Sequence, residues 1–297
     1  MKIKVLKFGG TSVGSIEAIK RSANIIHDWS KKSKVIAVLS AMSGETDRLI
    51  TLTNSFSKTP NPIDFDNAIS SGENVSCALM SICLNNQKIK AKSLLSWQIP
   101  IITSSEHMKS RILSINKKFL YDELENFEVL LIPGFQGINN KGELTTLGRG
   151  GSDTSAVAVA AAMETECIIY TDVEGVFTTD PNIVSKAKKI NKISYEEMLE
   201  LASQGAKVLQ TRSVELAMRK NTKLSVRSSF KPKKIGTMIT DEKSVLENNT
   251  VSGITYSKDE AKITLSRVQD KPGVSSKIFG PLAKGNINVD MLSLIHI

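Results

Sequence analysis

The residues at 148–153, Gly-Arg-Gly-Gly-Ser-Asp, are of the types that bind and neutralise an anion. Glycines take positive φ readily and let a ligand approach the backbone with no Cβ in the way. Ser152, Asp153 and Thr154 follow as N-cap and first-turn residues, and the Ala- and Val-rich run behind them suits a small-faced helix packed tightly on a sheet. A glycine loop feeding a helix N-terminus presents free N–H groups and the positive end of a dipole, which favours phosphate or carboxylate. Arg149 and Asp153 add one fixed charge of each sign at the same mouth.

A second glycine turn follows the apolar residues 3–8, with Lys7 just before Gly9 and Gly10. A lysine at the carboxyl end of a strand reaches transferring phosphate oxygens as a point charge while the glycine amides cradle them. No Gly-Lys-Ser/Thr follows, so this is not a Walker loop. Ser40, Ser43 and Thr46 come just past the apolar run 35–39, where they either line a polar ligand pocket or cap the helix expected from Asp47. Glu73 falls within a helix expected over 66–84, as a solvated charge or as the partner of an ammonium group.

The elements that must position these residues alternate. Residues 3–8 form a strand, and Ile16, Ile19, Ala23 and Ile26 repeat at helical spacing after it. Apolar runs at 35–39 and 129–132 suit parallel strands covered on both faces, with further strand-like content at 89–95, 99–103, 167–170, 224–227 and 238–239. Ser-Tyr-Glu-Glu from Ser194 is a helix start signal, and Lys207 opens a helix over 208–219, awkwardly for a cation unless an anion is near. The pattern is that of an α/β fold: a mostly parallel sheet sandwiched by helices, with ligands collected along its carboxyl edge.

With 297 residues, 40% hydrophobic and 23% charged, the chain has enough to bury a sizeable core in one large domain plus a smaller piece. The net charge of +9 comes mostly from lysines spread along the chain, with short clusters at 186–189 and 231–234 and no interleaved aromatics, which argues against nucleic acid. Cys77, Cys83 and Cys167 are odd in number and not in metal-ligand spacing, as expected in a reduced cytoplasm. His27, His107 and His296 form no cluster and read as structural or exposed. Neither a signal peptide nor a membrane span is legible, so the expectation is a soluble, cytoplasmic protein.

Lys-Phe-Gly-Gly-Thr-Ser at 7–12, Ser-Gly-Glu at 71–73, Gly-Arg-Gly-Gly-Ser-Asp at 148–153 and Thr-Asp-Val-Glu-Gly-Val-Phe-Thr-Thr-Asp-Pro at 171–181 occur in one order. Together they closely resemble the aspartokinase family, which has the amino-acid kinase fold. The resemblance implies transfer of the ATP γ-phosphoryl group to the side-chain carboxylate of L-aspartate, the entry to lysine, threonine and methionine synthesis by way of diaminopimelate for lysine. A carboxylate is already a nucleophile, so no His or Cys base is needed and the protein must chiefly hold two anions in line. The resemblance implies catalytic roles for Lys7 and Asp153 and acceptor contacts from Ser40, Thr46, Glu73, Arg149 and Ser152. It also implies nucleotide contacts from Lys7, Phe8, Gly9, Gly10, Thr171, Asp172, Phe177, Asp180 and Lys207. Mg²⁺ is expected through the ATP phosphates, with no dedicated protein ligands. Within the same fold, glutamate, acetylglutamate or UMP kinases share the glycine loops, and a sensor without turnover is a further alternative.

The division expected is a catalytic domain over 1–245 and a partial α+β domain over 246–297. In the latter, strand-like 251–256 and 261–268, an Asp-Lys-Pro-Gly turn, a helix over 274–284 stopped by Gly285 and a strand at 287–289 resemble the start of an ACT regulatory unit. In aspartokinases such units bind an end-product amino acid, so lysine or threonine is the effector implied, with Asp270 and Asn288 as candidate contacts and a homo-oligomer as the full-length form. The ending Leu-Ser-Leu-Ile-His-Ile at 292–297 departs from the alternation expected and reads as a truncated or chimeric terminus.

Overall fold

Apolar runs such as Val-Leu-Leu-Ile at 129–132 have no polar face to turn to water, so strands built from them need cover on both sides. The computed structural model, which describes residues 2–98, 101–206, 208–241, 253–255, 265, 268, 271–285 and 289, provides that cover. β1 (Ile3–Phe8) leads through α1 (Gly10–Val13) and α2 (Ile16–Ser30) to β2 (Lys34–Leu39), then to α3 (Glu45–Phe56), α4 (Pro62–Ile69) and α5 (Ser71–Asn86). β3 (Ala91–Ser93), β4 (Ile101–Thr103), β5 (Ile112–Ile115) and α6 (Lys117–Asn126) precede β6 (Val129–Pro133), β7 (Gln136–Asn139) and β8 (Leu144–Thr146). After α7 (Gly151–Ala162) come β9 (Cys167–Thr171), β10 (Lys192–Ser194), α8 (Tyr195–Ser203), α9 (Thr211–Lys220), β11 (Leu224–Ser228) and β12 (Thr237–Thr240).

The main sheet has the order β10-β12-β11-β9-β1-β2-β6-β3, parallel throughout except for the β11–β12 pair. Alternate residues of each strand feed two cores. Val5, Ile36, Val38, Leu130 and Ile132 pack with residues of α6 to α9, whereas Leu6, Val35, Ala37, Leu39 and Leu131 pack with residues of α2 and α5. This is the sandwiched α/β architecture that the apolar runs predict.

A second sheet, β5-β4-β7-β8, is foreseen by the sequence only at β4, which lies inside the strand-like stretch 99–103. Its strands are three or four residues long and only partly apolar, so they carry no continuous hydrophobic signal. It decides the character of α7, which lies against β1, β2 and β9 of one sheet and β5 and β7 of the other. All residues from Gly151 to Ala160 are consequently buried, and only small side chains fit the gap.

Three expectations are corrected. The helix over 66–84 is two helices, broken at Ser70, so Glu73 sits in the first turn of α5. Ile16 begins α2 on the solvent side, 66% exposed, because the buried stripe runs through Ala18, Ile19, Ala23 and Ile26. The helix that follows starts at Thr211, not 208, and Lys207 lies outside the described residues.

The chain divides into two units, Met1–Tyr256 and Ser257–Ile297. In the second, α10 (Val274–Lys284) starts from Gly273 in left-handed conformation and ends at Gly285, as its glycines predict. Most residues of the strands expected at 251–256, 261–268 and 287–289, together with Asp270, Asn288 and 292–297, lie outside the described residues.

The tight seat of α7 gives a test. Replacing the fully buried Ala156 by Leu adds volume between two sheets, so Ala156→Leu should lower the unfolding free energy by about 1–3 kcal/mol, read from the shift of the urea midpoint.

Candidate active site

Five adjacent parallel strands end on one rim. Phe8 pairs in register with Leu39 and Tyr170, Leu39 with Pro133, and Tyr170 with Arg227. The residues just beyond continue the ladder: Ser40 N donates to Phe8 O, Gly134 N to Leu39 O and Ser229 N to Thr171 O. Lys7, Ser40, Gly134, Thr171 and Asp172 therefore reach the same edge, although they are scattered over 165 positions of sequence (172 minus 7).

The first turn of α7 meets this rim. Lys7 Nζ lies 2.6 Å from Asp153 Oδ1, with the side chains only 11% and 10% exposed. The expected capping by Ser152 does not occur: Gly150, at φ 74°, is the N-cap, no side chain caps the helix, and Ser152 and Asp153 are its second and third residues. The cause is the glycine pair. Gly148 (φ 77°) and Gly150 close a tight turn with Gly151 N donating to Gly148 O, and helical geometry begins directly from it. α3 likewise starts from Gly44 at φ 80° with no side-chain cap, so Ser40, Ser43 and Thr46 do not serve as its cap. Ser40 and Thr46 are half-buried.

Close approaches link the remaining motifs. A Cβ on Gly10 would lie 3.2 Å from Ala41 O, one on Gly72 would lie 2.8 Å from the Ala41 side chain, and one on Gly134 would lie 2.7 Å from Ser152 Cβ. Each pair belongs to different motifs, so the glycines mark the places where those motifs touch. Glu73 is 3% exposed: Oε1 accepts from Ala41 N at 3.1 Å, and Oε2 is buried without a hydrogen-bond partner. It is not the solvated charge that sequence left open. Burial pushes its pKa up to about 8 against the smaller opposing effect of the Ala41 N–H.

Arg149 is exposed at the tip of the glycine turn, and among the described residues no hydrogen bond or ion pair holds its side chain. Thr171 Oγ1 donates to Asp172 Oδ1 at 3.0 Å beside the end of β1. Phe177 and Asp180 lie farther along the segment after β9. Phe177 bridges to Lys189, and Asp180 Oδ1 accepts from Asn182 N in a turn of its own. Sequence reasoning passed over Phe135 and Ser229. Phe135 takes φ 71°, its N–H donating to Ser155 Oγ and its carbonyl accepting from Leu147 N, which locks the rim of β6 to α7. Ser12 Oγ donates to Ser229 Oγ, and Ser229 Oγ to Thr171 O, tying the first glycine turn to the end of β9. The Pro-Gly before Phe135 was the available signal for the first; a buried serine offers none.

Residues 2–228 match the amino acid kinase family. The chain belongs to that family. It is 48% identical to the aspartate kinase of Pseudomonas fluorescens over 98% of this chain and 72% of that protein. It is also 48% identical to the aspartokinase of Helicobacter pylori, over 97% of this chain and 72% of that protein. The structure of E. coli aspartokinase III in complex with aspartate and ADP superposes with a TM-score of 0.75 at 25% identity, covering 99% of this chain and 77% of that one. The family member described here thus lies among the aspartate kinases. Among the described residues, no helix is long and apolar enough to cross a membrane.

In this kinase burial favours the protonated form of the Glu73 carboxyl. Its pKa is raised on folding from 4.5 to about 8, so the stability it contributes is complete below about pH 4.5 and lost as pH rises through about 8. The ligand-free protein should therefore lose a few kcal/mol relative to Glu73→Gln between pH 5 and about 8.5, at about 1.4 kcal/mol per pKa unit, in urea unfolding followed across that range. Parallel pH profiles for the two proteins would show an ordinary carboxyl instead.

Proposed function

We propose that the chain is an aspartate kinase, transferring the γ-phosphoryl group of ATP to the side-chain carboxylate of L-aspartate to give 4-phospho-L-aspartate and ADP. The observation that carries this reading is the Lys7–Asp153 ion pair at the uncapped N-terminus of α7. It supplies positive potential and free amides where two anions must meet, on the rim that also holds the buried Glu73 carboxyl.

The acceptor carboxylate attacks the γ-phosphorus directly, and the bond to the β–γ bridging oxygen breaks as the new P–O bond forms. No proton is transferred in that step, so the side chains position and neutralise. Lys7 and the Gly10 amide hold the transferring oxygens, and Gly9, whose own N–H donates to Tyr170 O at 3.4 Å, lets them approach with no Cβ in the way, with Phe8 and Tyr170 stacked at 5.0 Å beneath the turn. Asp153 orients the Lys7 ammonium. Arg149 takes the substrate α-carboxylate as a two-pronged fork, Glu73 takes the α-ammonium, and the hydroxyls of Ser40, Thr46 and Ser152 complete the acceptor pocket. Thr171, Asp172, Phe177, Asp180 and Lys207 serve the nucleotide. Mg²⁺ would be held by the ATP phosphates, where it would neutralise charge.

In this reading residues 1–245 are catalytic and 246–297 belong to an ACT-like regulatory part, with α10 after its Lys-Pro-Gly turn as the supporting element. The same reading makes the protein a cytoplasmic homo-oligomer at the head of lysine, threonine and methionine synthesis, with lysine or threonine as effector.

Trapping the acyl phosphate with hydroxylamine should yield product with ATP and aspartate, and none above background with glutamate or acetylglutamate; UMP, scored by ADP release, should be inert. Product from glutamate but not aspartate overturns the acceptor assignment. Lys7→Ala and Arg149→Ala should each lower kcat/KM by about a hundredfold or more, the scale for losing a preorganised charge contact. A loss below about tenfold removes the residue from its role.

A further inference from the structure

Away from the Lys7–Asp153 pair, a knot of buried polar contacts is centred on Asp66, a fully buried residue of α4. Its Oδ1 accepts from Thr146 Oγ1 at 2.6 Å. Its Oδ2 accepts from Thr146 N at 3.1 Å, Met108 N at 3.1 Å and His107 Nδ1 at 2.8 Å. All four partners are donors, so the position calls for a group that only accepts, and His107 must carry its proton on Nδ1 toward the acid. Three distant segments meet here: α4, the loop 104–111 between β4 and β5, and β8.

Short stretches of chain link the knot to two charged groups of the site. β8 ends at Thr146, three residues before Arg149, and the Arg149 turn stacks on the same loop: a Cβ on Gly148 would lie 2.9 Å from Met108 O. Arg212 closes the stack, donating to Leu147 O and Ser110 O at 2.7 Å each. In the other direction α4 runs into Ser70, whose carbonyl accepts from Gln136 Nε2 at 3.0 Å, and α5 then begins with Glu73 in its first turn. One carboxylate therefore ties the strand leading to Arg149 to the helix leading to Glu73.

We propose that Asp66 and His107 are positioning residues of the acceptor site, fixing the separation between Arg149 and Glu73. An α-amino acid presents its carboxylate and ammonium at one short, fixed spacing, so a fork and an acid held at the wrong distance lose both contacts. The nucleotide residues at the end of β1, at the end of β9 and in the segment after it take part in none of these hydrogen bonds. The effect is confined to the acceptor. This proposal rests on the assignment of Arg149 and Glu73 made above.

Steady-state kinetics with aspartate and ATP varied separately test it. His107→Ala removes one donor of four and should raise KM for aspartate by about tenfold while KM for ATP stays within about twofold. Thr146→Val removes a different donor from the same carboxylate and should act in the same direction. His107→Gln, whose amide still reaches Asp66 as a donor, should recover most of the loss. Because His107 acts through Arg149, adding His107→Ala to Arg149→Lys should raise KM for aspartate by less than about twofold further.

Equal shifts in both KM values, no shift in either, no loss with Thr146→Val, no recovery with His107→Gln, or full additivity with Arg149→Lys would each overturn the proposal. If Arg149→Lys alone leaves KM for aspartate unchanged, the assignment of Arg149 fails and the proposal falls with it. If Arg149→Lys is impaired and His107→Ala is not, only the proposal falls.

Discussion

Lys7 and Asp153 are both largely withdrawn from water and 2.6 Å apart, an arrangement that desolvates two ions and contributes little net stability compared with an apolar pair. Its value is electrostatic: an ammonium at the end of a buried strand, beside a helix N-terminus whose amides no side chain caps. Two negatively charged reactants repel, and in water that repulsion is met by solvent that must reorganise as charge moves. A fixed ammonium and fixed amides replace that solvent with groups already in place. The rest of the molecule follows from the need to hold that pair still.

Rigidity comes from α7 lying between two sheets. The main sheet supplies the rim and carries Lys7, while the small second sheet closes the other side of the helix and delivers the glycine turn through β8. Helix α7 is buried from Gly151 to Ala160, so it has no freedom to slide and its first turn is fixed from both sides. The positive φ of Phe135, a residue type that rarely adopts it, sits where β6 passes under α7, and the hydrogen bonds of its backbone to Ser155 and Leu147 hold it there.

The parts of this arrangement that sequence could announce are those with a local signal. Val-Leu-Leu-Ile at 129–132 announces a doubly covered strand, Ser194 with Glu197 announces a capping box that the structure contains, and the glycines at 9, 10, 148 and 150 announce turns. The second sheet was silent except at β4, because strands as short as Leu144–Thr146 are too brief for any period to show. The break at Ser70 was only half legible: Ser71, Gly72 and Glu73 interrupt the apolar pattern, but no local signal turns that interruption into the end of one helix and the start of another. Asp66 marked only the start of an expected helix, and His107 read as a structural or exposed histidine. Their meaning depends on partners such as Thr146, 80 positions away, and no local pattern carries that.

The measurement that bears most directly on the central role of Lys7 and Asp153 is a crystal structure with a non-hydrolysable ATP analogue and L-aspartate bound together. The account predicts the terminal phosphate over the Gly9–Gly10 turn within hydrogen-bond reach of Lys7. The aspartate side-chain carboxylate should lie about 3–3.5 Å from the terminal phosphorus, in line with the bridging atom. Phosphates lying instead against the lysines at 231–234, with Lys7 and Asp153 untouched, would contradict it.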